Sequence, residues 1–81
     1  MEIRYLNAFL HVASLQNITK AAAELGYSQS AVSIQIQRLE EELDMPLFDR
    51  IGKNVYLTDF GRSLLPYARR AVAAVSAVES F

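Results

Sequence analysis

The 81-residue sequence predicts a mainly α fold: three short helices, a small β-hairpin and a long last helix. Three observations predict it. Apolar residues recur at helical spacing in four segments. Asn17, Ser28 and Thr58 stand where three of those segments begin, and each can cap a helix start. One β-prone stretch with turn residues at its middle, residues 47–58, separates the third segment from the fourth.

The first helix is predicted over residues 3–14, with Leu6, Phe9, Leu10 and Ala13 at helical spacing and Ile3 one turn earlier. Asn17 caps the second, which opens at Ile18-Thr19-Lys20 and continues through the strong helix formers Ala21-Ala22-Ala23-Glu24-Leu25. Gly26 ends it, where a left-handed residue is needed. Ser28 caps the third, from Gln29 to about Asp44, and Val32, Ile36, Leu39 and Leu43 form its apolar stripe. Pro46 stops it.

Leu47-Phe48-Asp49-Arg50 and Val55-Tyr56-Leu57 are short β-prone pieces, and Ile51-Gly52-Lys53-Asn54 supplies the turn. Thr58, with Asp59 favourable in the first turn, starts a helix that can reach Phe81, about 35 Å if straight. Along it Leu64, Ala68, Ala71, Val75 and Val78 are spaced four, three, four and three, a coiled-coil-like seam. Alanines 71, 73, 74 and 77 allow a second helix to approach closely. Pro66 inside it is expected to kink it or loosen one turn.

Composition narrows the function classes. The length suits one domain, and 52% apolar residues exceed what its own core needs, which points to a second chain. No cysteine is present, which excludes a disulfide framework and a cysteine-based zinc site. No apolar run approaches the ~20 residues of a membrane span. The start, Met1-Glu2-Ile3-Arg4-Tyr5, does not read as a signal peptide, and the expected compartment is the cytoplasm. The net charge of -1 hides an uneven distribution. Glu40, Glu41, Glu42, Asp44 and Asp49 come without a base, whereas Arg50, Lys53, Arg62, Arg69 and Arg70 follow against Asp59 alone. A local basic surface is compatible with an acidic total.

The second and third helices, joined by a tight turn around Gly26-Tyr27, form a helix-turn-helix over about residues 18–37, and the hairpin falls where a wing belongs. With Val32 facing the core, Ser30, Ser33, Ile34, Gln37 and Glu41 point away from it, with Gln29 and Ser33 nearer its flanks. The hydroxyls and amides suit base edges, and the free N–H groups at the helix start suit a phosphate. Ile34 has two readings, chance exposure or contact with a thymine methyl group.

Several stretches closely resemble the signature of LysR-type transcriptional regulators. They run from Ile18-Thr19-Lys20-Ala21-Ala22-Ala23-Glu24-Leu25 through Ser28-Gln29-Ser30-Ala31-Val32-Ser33 to Arg38-Leu39-Glu40-Glu41-Glu42-Leu43. Pro46-Leu47-Phe48-Asp49-Arg50 and Leu57-Thr58-Asp59-Phe60-Gly61 resemble it too. The resemblance implies a winged helix-turn-helix over residues 1–58 and a linker helix, 59–81, that pairs two subunits. It implies a recognition helix, about 29–44, in the major groove and a wing, 47–57, on backbone or minor groove. The DNA-binding residues expected are Thr19, Lys20, Ser28, Gln29, Ser30, Ser33, Ile34, Gln37, Arg38, Arg50 and Lys53. The expected dimer interface is Leu64, Ala68, Ala71, Val75 and Val78. Ser30 stands where the family often has proline, and Ile34 where a polar or basic residue is frequent.

The expected partners are therefore duplex DNA with an inverted-repeat site and a second copy of the chain. The resemblance also implies a ligand-sensing domain after the linker helix, so the chain is expected to be a fragment and any small-molecule effector to belong to the missing part. No cofactor or metal is expected. The competing reading is a helical interaction module that binds protein. An enzyme is the weakest class, because no nucleophile with a base, metal cluster or phosphate-cradling loop is found. His11 is expected to be solvated on the outer side of the first helix, the Glu40–Glu42 run to be a solvated face, and Arg69 and Arg70 to be wet.

Overall fold

A computed structural model describes residues 1–81. The elements run α1 (Ile3–Leu15), α2 (Ile18–Leu25), α3 (Gln29–Leu43), β1 (Phe48–Ile51), β2 (Asn54–Leu57) and α4 (Asp59–Glu79). Side-chain caps set the starts of α2, α3 and α4. Asn17 accepts the Lys20 N–H at 2.9 Å through its side chain, and Ser28 accepts that of Ala31 at 3.1 Å. Thr58 accepts the Gly61 N–H at 3.0 Å while its hydroxyl donates to the Pro46 carbonyl at 2.8 Å. These bonds satisfy donors that a helix start leaves free.

The helix ends are equally defined. Gly26 is left-handed, and the Tyr27 and Gly26 N–H groups return to the Ala22 and Ala23 carbonyls, a Schellman ending. Asp44 makes the same ending for α3 with φ 55°, and Gln16 closes α1 with φ 55°. Neither left-handed position is a glycine. α4 runs unbroken through Pro66, so the expected kink does not end or interrupt it.

The hairpin is antiparallel with the register Phe48↔Leu57, Asp49↔Tyr56, Arg50↔Val55 and Ile51↔Asn54. Gly52 has φ 63° and Lys53 is not left-handed, the pattern of a type II′ turn that matches strand twist. Directly opposed residues share a face, so Arg50 lies on the side of buried Val55.

α1 lies at the centre, packed on α2, α3, α4 and β2. Its Leu6, Ala8, Phe9 and Val12 are buried with Ile18, Ala21 and Ala22 of α2 and Val32, Ile36 and Leu39 of α3. Phe9 and Phe48 rings meet at 5.5 Å between centroids, which fastens the hairpin to α1. Gln35 joins the buried stripe of α3, which the apolar spacing alone did not foretell.

Candidate nucleic-acid interface

α3 has two chemically different ends. At its start, Gln29 meets the first turn of α2 and the wing. Asn17, Ile18, Thr19, Gln29, Arg50, Gly52, Lys53, Asn54 and Val55 line one cleft of about 310 Å³. Two cations, four uncharged polar side chains and no acid border it. The backbone tie that holds it open is the Val55 N–H, which donates to the Gln16 carbonyl at 3.1 Å between the α1–α2 joint and the wing. At the other end of α3, one shallow groove is lined by Gln37, Glu40, Glu41, Asp44, Met45 and Pro46, and another by Glu2, Tyr5, Arg38, Glu41 and Glu42. Charge is thus segregated along one helix, and the polyanion-compatible surface lies at its N-terminal end.

The expected contact residues divide accordingly. Thr19, Gln29, Arg50 and Lys53, drawn from three elements, come together in the cleft. Lys20, Ser28 and Ser30 are exposed nearby in sequence on the same two helix starts. Ile34 is 49% exposed and Gln37 is exposed, so both have free surface. Ser33 is half-buried rather than fully outward. Arg38 is exposed but sits among Glu2, Glu41 and Glu42, apart from the basic cleft. Asn17 and Asn54 line the cleft and were not foreseen. Their signal was hidden, because each also has a local role: Asn17 caps α2, and the Asn54 side-chain amide donates to the Tyr56 hydroxyl at 3.4 Å.

The seam of α4 is corrected by the structure. Ala68 is 1% exposed and packs inside the chain, so it has no surface left for a partner. Leu64 and Ala71 are half-buried against the same core. α1 covers this half of α4, and only Val75 and Val78 stand clear, Val78 at 75% exposure.

The remaining expectations divide. His11 is half-buried, with Nδ1 2.9 Å from the Asn7 carbonyl oxygen and Nε2 3.8 Å from Glu24. Glu40 is not solvated like Glu41 and Glu42, since it accepts the Leu47 N–H at 2.7 Å. Arg69 and Arg70 are exposed, and Arg70 stacks over the Tyr67 ring at 4.7 Å. No helix is long and apolar enough to cross a membrane.

Residues 3–62 match the model of the family described as bacterial regulatory helix-turn-helix protein, lysR family. The chain is 47% identical over 76 residues to the transcriptional regulator ShiR of Corynebacterium glutamicum (strain R), an alignment covering 94% of this chain and 26% of ShiR. It spans about a quarter of the length of most of the curated relatives it matches. The structure is similar to the CbnR DNA-binding domain solved in complex with DNA, with TM-score 0.93, 34% identity and coverage of 99% of this chain and 92% of that one. It is also similar to the BenM DNA-binding domain solved with benA site 1 DNA, with TM-score 0.90, 39% identity and coverage of 99% and 90%.

Proposed function

The chain belongs to the LysR family of bacterial regulatory helix-turn-helix proteins, and from that premise we propose that it binds duplex DNA in a sequence-specific way as one half of a dimeric transcription regulator. The observation that carries this reading is the cleft where Gln29 of α3, Thr19 of α2 and Arg50 and Lys53 of the wing converge without an acid. Residues 1–58 form the DNA-reading unit and residues 59–81 the pairing helix. α3 enters the major groove from its N-terminal end, which directs Gln29, Ser30, Ser33, Ile34 and Gln37 at base edges. Thr19, Lys20, Arg50 and Lys53 hold the phosphate backbone beside it, with Ser28 at the helix start. Arg38 is the weakest of the proposed contacts, because neighbouring acids repel a phosphate.

Two copies pair through the outer half of α4, where Val75 and Val78 lack intrachain cover. A two-fold dimer reads an inverted repeat with half-sites one or more helical turns apart. Regulation of transcription, rather than catalysis, is the activity proposed, and the bacterial cytoplasm is the compartment where that DNA is met. A small-molecule effector, if the regulator has one, binds outside these residues.

Selection of bound sequences from a random DNA pool tests the reading. Enrichment of an inverted repeat at fixed spacing is the expected result. Recovery of single half-sites removes the paired geometry, and no enrichment by folded protein removes sequence-specific binding.

A further inference from the structure

Leu47 is the residue on which three elements meet. Its side chain is 0% exposed in the core, and it directly precedes β1. Its N–H donates to Glu40 Oε2 at 2.7 Å, which ties the wing to the last turn of α3. Its carbonyl accepts the Thr58 N–H at 3.0 Å, which ties the wing to the start of α4. That carbonyl is also pressed against α4, since a Cβ on Gly61 would lie 2.4 Å from it.

These ties are unequal in what they replace. The hairpin's main packing partners are α1 and α4, not α3. The Glu40–Leu47 bond is the one side-chain hydrogen bond between α3 and the wing segment. It is also charge-assisted, hence short and stronger than a neutral pair. Without it, the angle between wing and α3 rests on the short link at residues 44–46 and on packing in the shared core with α1 and α4. A wing shift of about 1 Å is enough to misplace a contact that depends on preset geometry.

We propose that Glu40 is a positioning residue for DNA recognition: its carboxylate holds the wing at the angle to α3 that lets both engage one duplex. Glu40 itself touches no DNA, because the acid would repel the backbone. It acts through Leu47 on Arg50 and Lys53, three and six residues further along the wing. This inference rests on the DNA-binding reading above. If the unmodified protein enriches no sequence, that reading fails, and the joint is then judged by amide exchange in the free protein.

The test compares Glu40→Gln, Glu40→Asp and Glu40→Ala in the intact protein on its selected site. Gln keeps an acceptor oxygen at the same reach, Asp keeps the charge but withdraws the oxygen by one methylene, and Ala removes both. In free protein, the Leu47 amide loses exchange protection in the Asp and Ala variants and keeps it in the Gln variant. On DNA, the Gln variant binds within about twofold of the unmodified protein. The Asp and Ala variants lose about tenfold, and the log–log salt slope shrinks by about one to two phosphate contacts at roughly 0.9 each. Hydroxyl-radical protection disappears on the backbone that the wing covers, while methylation interference in the major groove persists. The proposal is overturned if Asp and Ala bind like the unmodified protein. It is equally overturned if wing and major-groove contacts weaken in parallel with the folded fraction, or if neither variant folds, because Glu40 is then merely structural.

Discussion

At the scale of single residues, the proposed function separates contacts that would hold DNA from contacts that would read it. Arg50 belongs to the first kind. It faces the cleft from the buried side of the hairpin, opposite Val55, and its guanidinium has no partner among the chain's own ion pairs. Arg50→Ala should weaken binding to every DNA sequence and make the log–log salt slope shallower by about 0.9. A filter-binding titration across salt concentrations checks this, and an unchanged slope excludes a phosphate contact. Ile34 belongs to the second kind. Its half-exposed side chain has no core to serve on that face. Ile34→Ala should leave the salt slope alone and change the preferred base at one position per half-site, by about 1–3 kcal/mol. Repeating the pool selection with the variant decides it, and an identical motif returns Ile34 to chance exposure. The hydroxyls and amides of the recognition face were legible from helical phase alone. The acids Glu41 and Glu42, three and four residues beyond Arg38 on the same helix, were legible in the same way, whereas Glu2, which precedes α1, was not, because phase describes one helix.

At the scale of elements, the sequence was most legible where a side chain bonds to its own neighbourhood. Asn17, Ser28 and Thr58 cap three helices three residues ahead, and such caps depend on nothing distant. Ser28→Ala should accordingly cost about 1 kcal/mol in urea denaturation, since it frees an N–H at the start of α3. A loss below the error of the measurement would show that another group takes the bond. Less legible were the bonds that join elements. Asp44 adopts a left-handed turn, and Glu40 leaves its acidic run to hold Leu47, both because the chain must reverse from α3 into the wing. Gly61 shows the same limit. As a helical glycine it invites replacement, because alanine gains about 1 kcal/mol in helix propensity. The structure reverses that sign. A Cβ there would sit 2.4 Å from the Leu47 carbonyl oxygen and 2.9 Å from Leu57 Cδ2, and a core carbonyl cannot rotate away as a side chain does. Overpacking of this kind costs about 1–3 kcal/mol, so Gly61→Ala should lower Tm by several degrees in a domain of this size. A raised Tm in differential scanning calorimetry would show that α4 can slide at no cost.

At the scale of the whole molecule, α4 serves two surfaces with one stripe. The spacing of Leu64, Ala68, Ala71, Val75 and Val78 is continuous, and nothing in the sequence marks where the covering element changes. Length does. α1 has 13 residues and α4 has 21, so α1 cannot follow α4 to its end, and the last two turns project beyond the helical core. This gives the molecule its long dimension, 42 × 26 × 19 Å. The inner half of the stripe therefore contributes to the stability of one chain, and the outer half is left free for the association proposed above. The two halves should respond differently to substitution. Ala68→Asp places a charge in a site with no exposure and should unfold the domain, because an unpaired buried charge is strongly destabilising. Val78→Asp places the same charge where the single chain is open to water, so the fold and its Tm should be kept while two like charges meet across the pair. Sedimentation equilibrium should then show a monomer, with circular dichroism unchanged. Affinity for an inverted repeat should fall to that for an isolated half-site, since pairing no longer raises the effective concentration of the second recognition helix. If Val78→Asp remains dimeric, pairing uses a different face of the molecule, and the outer stripe of α4 is left with no assigned cover.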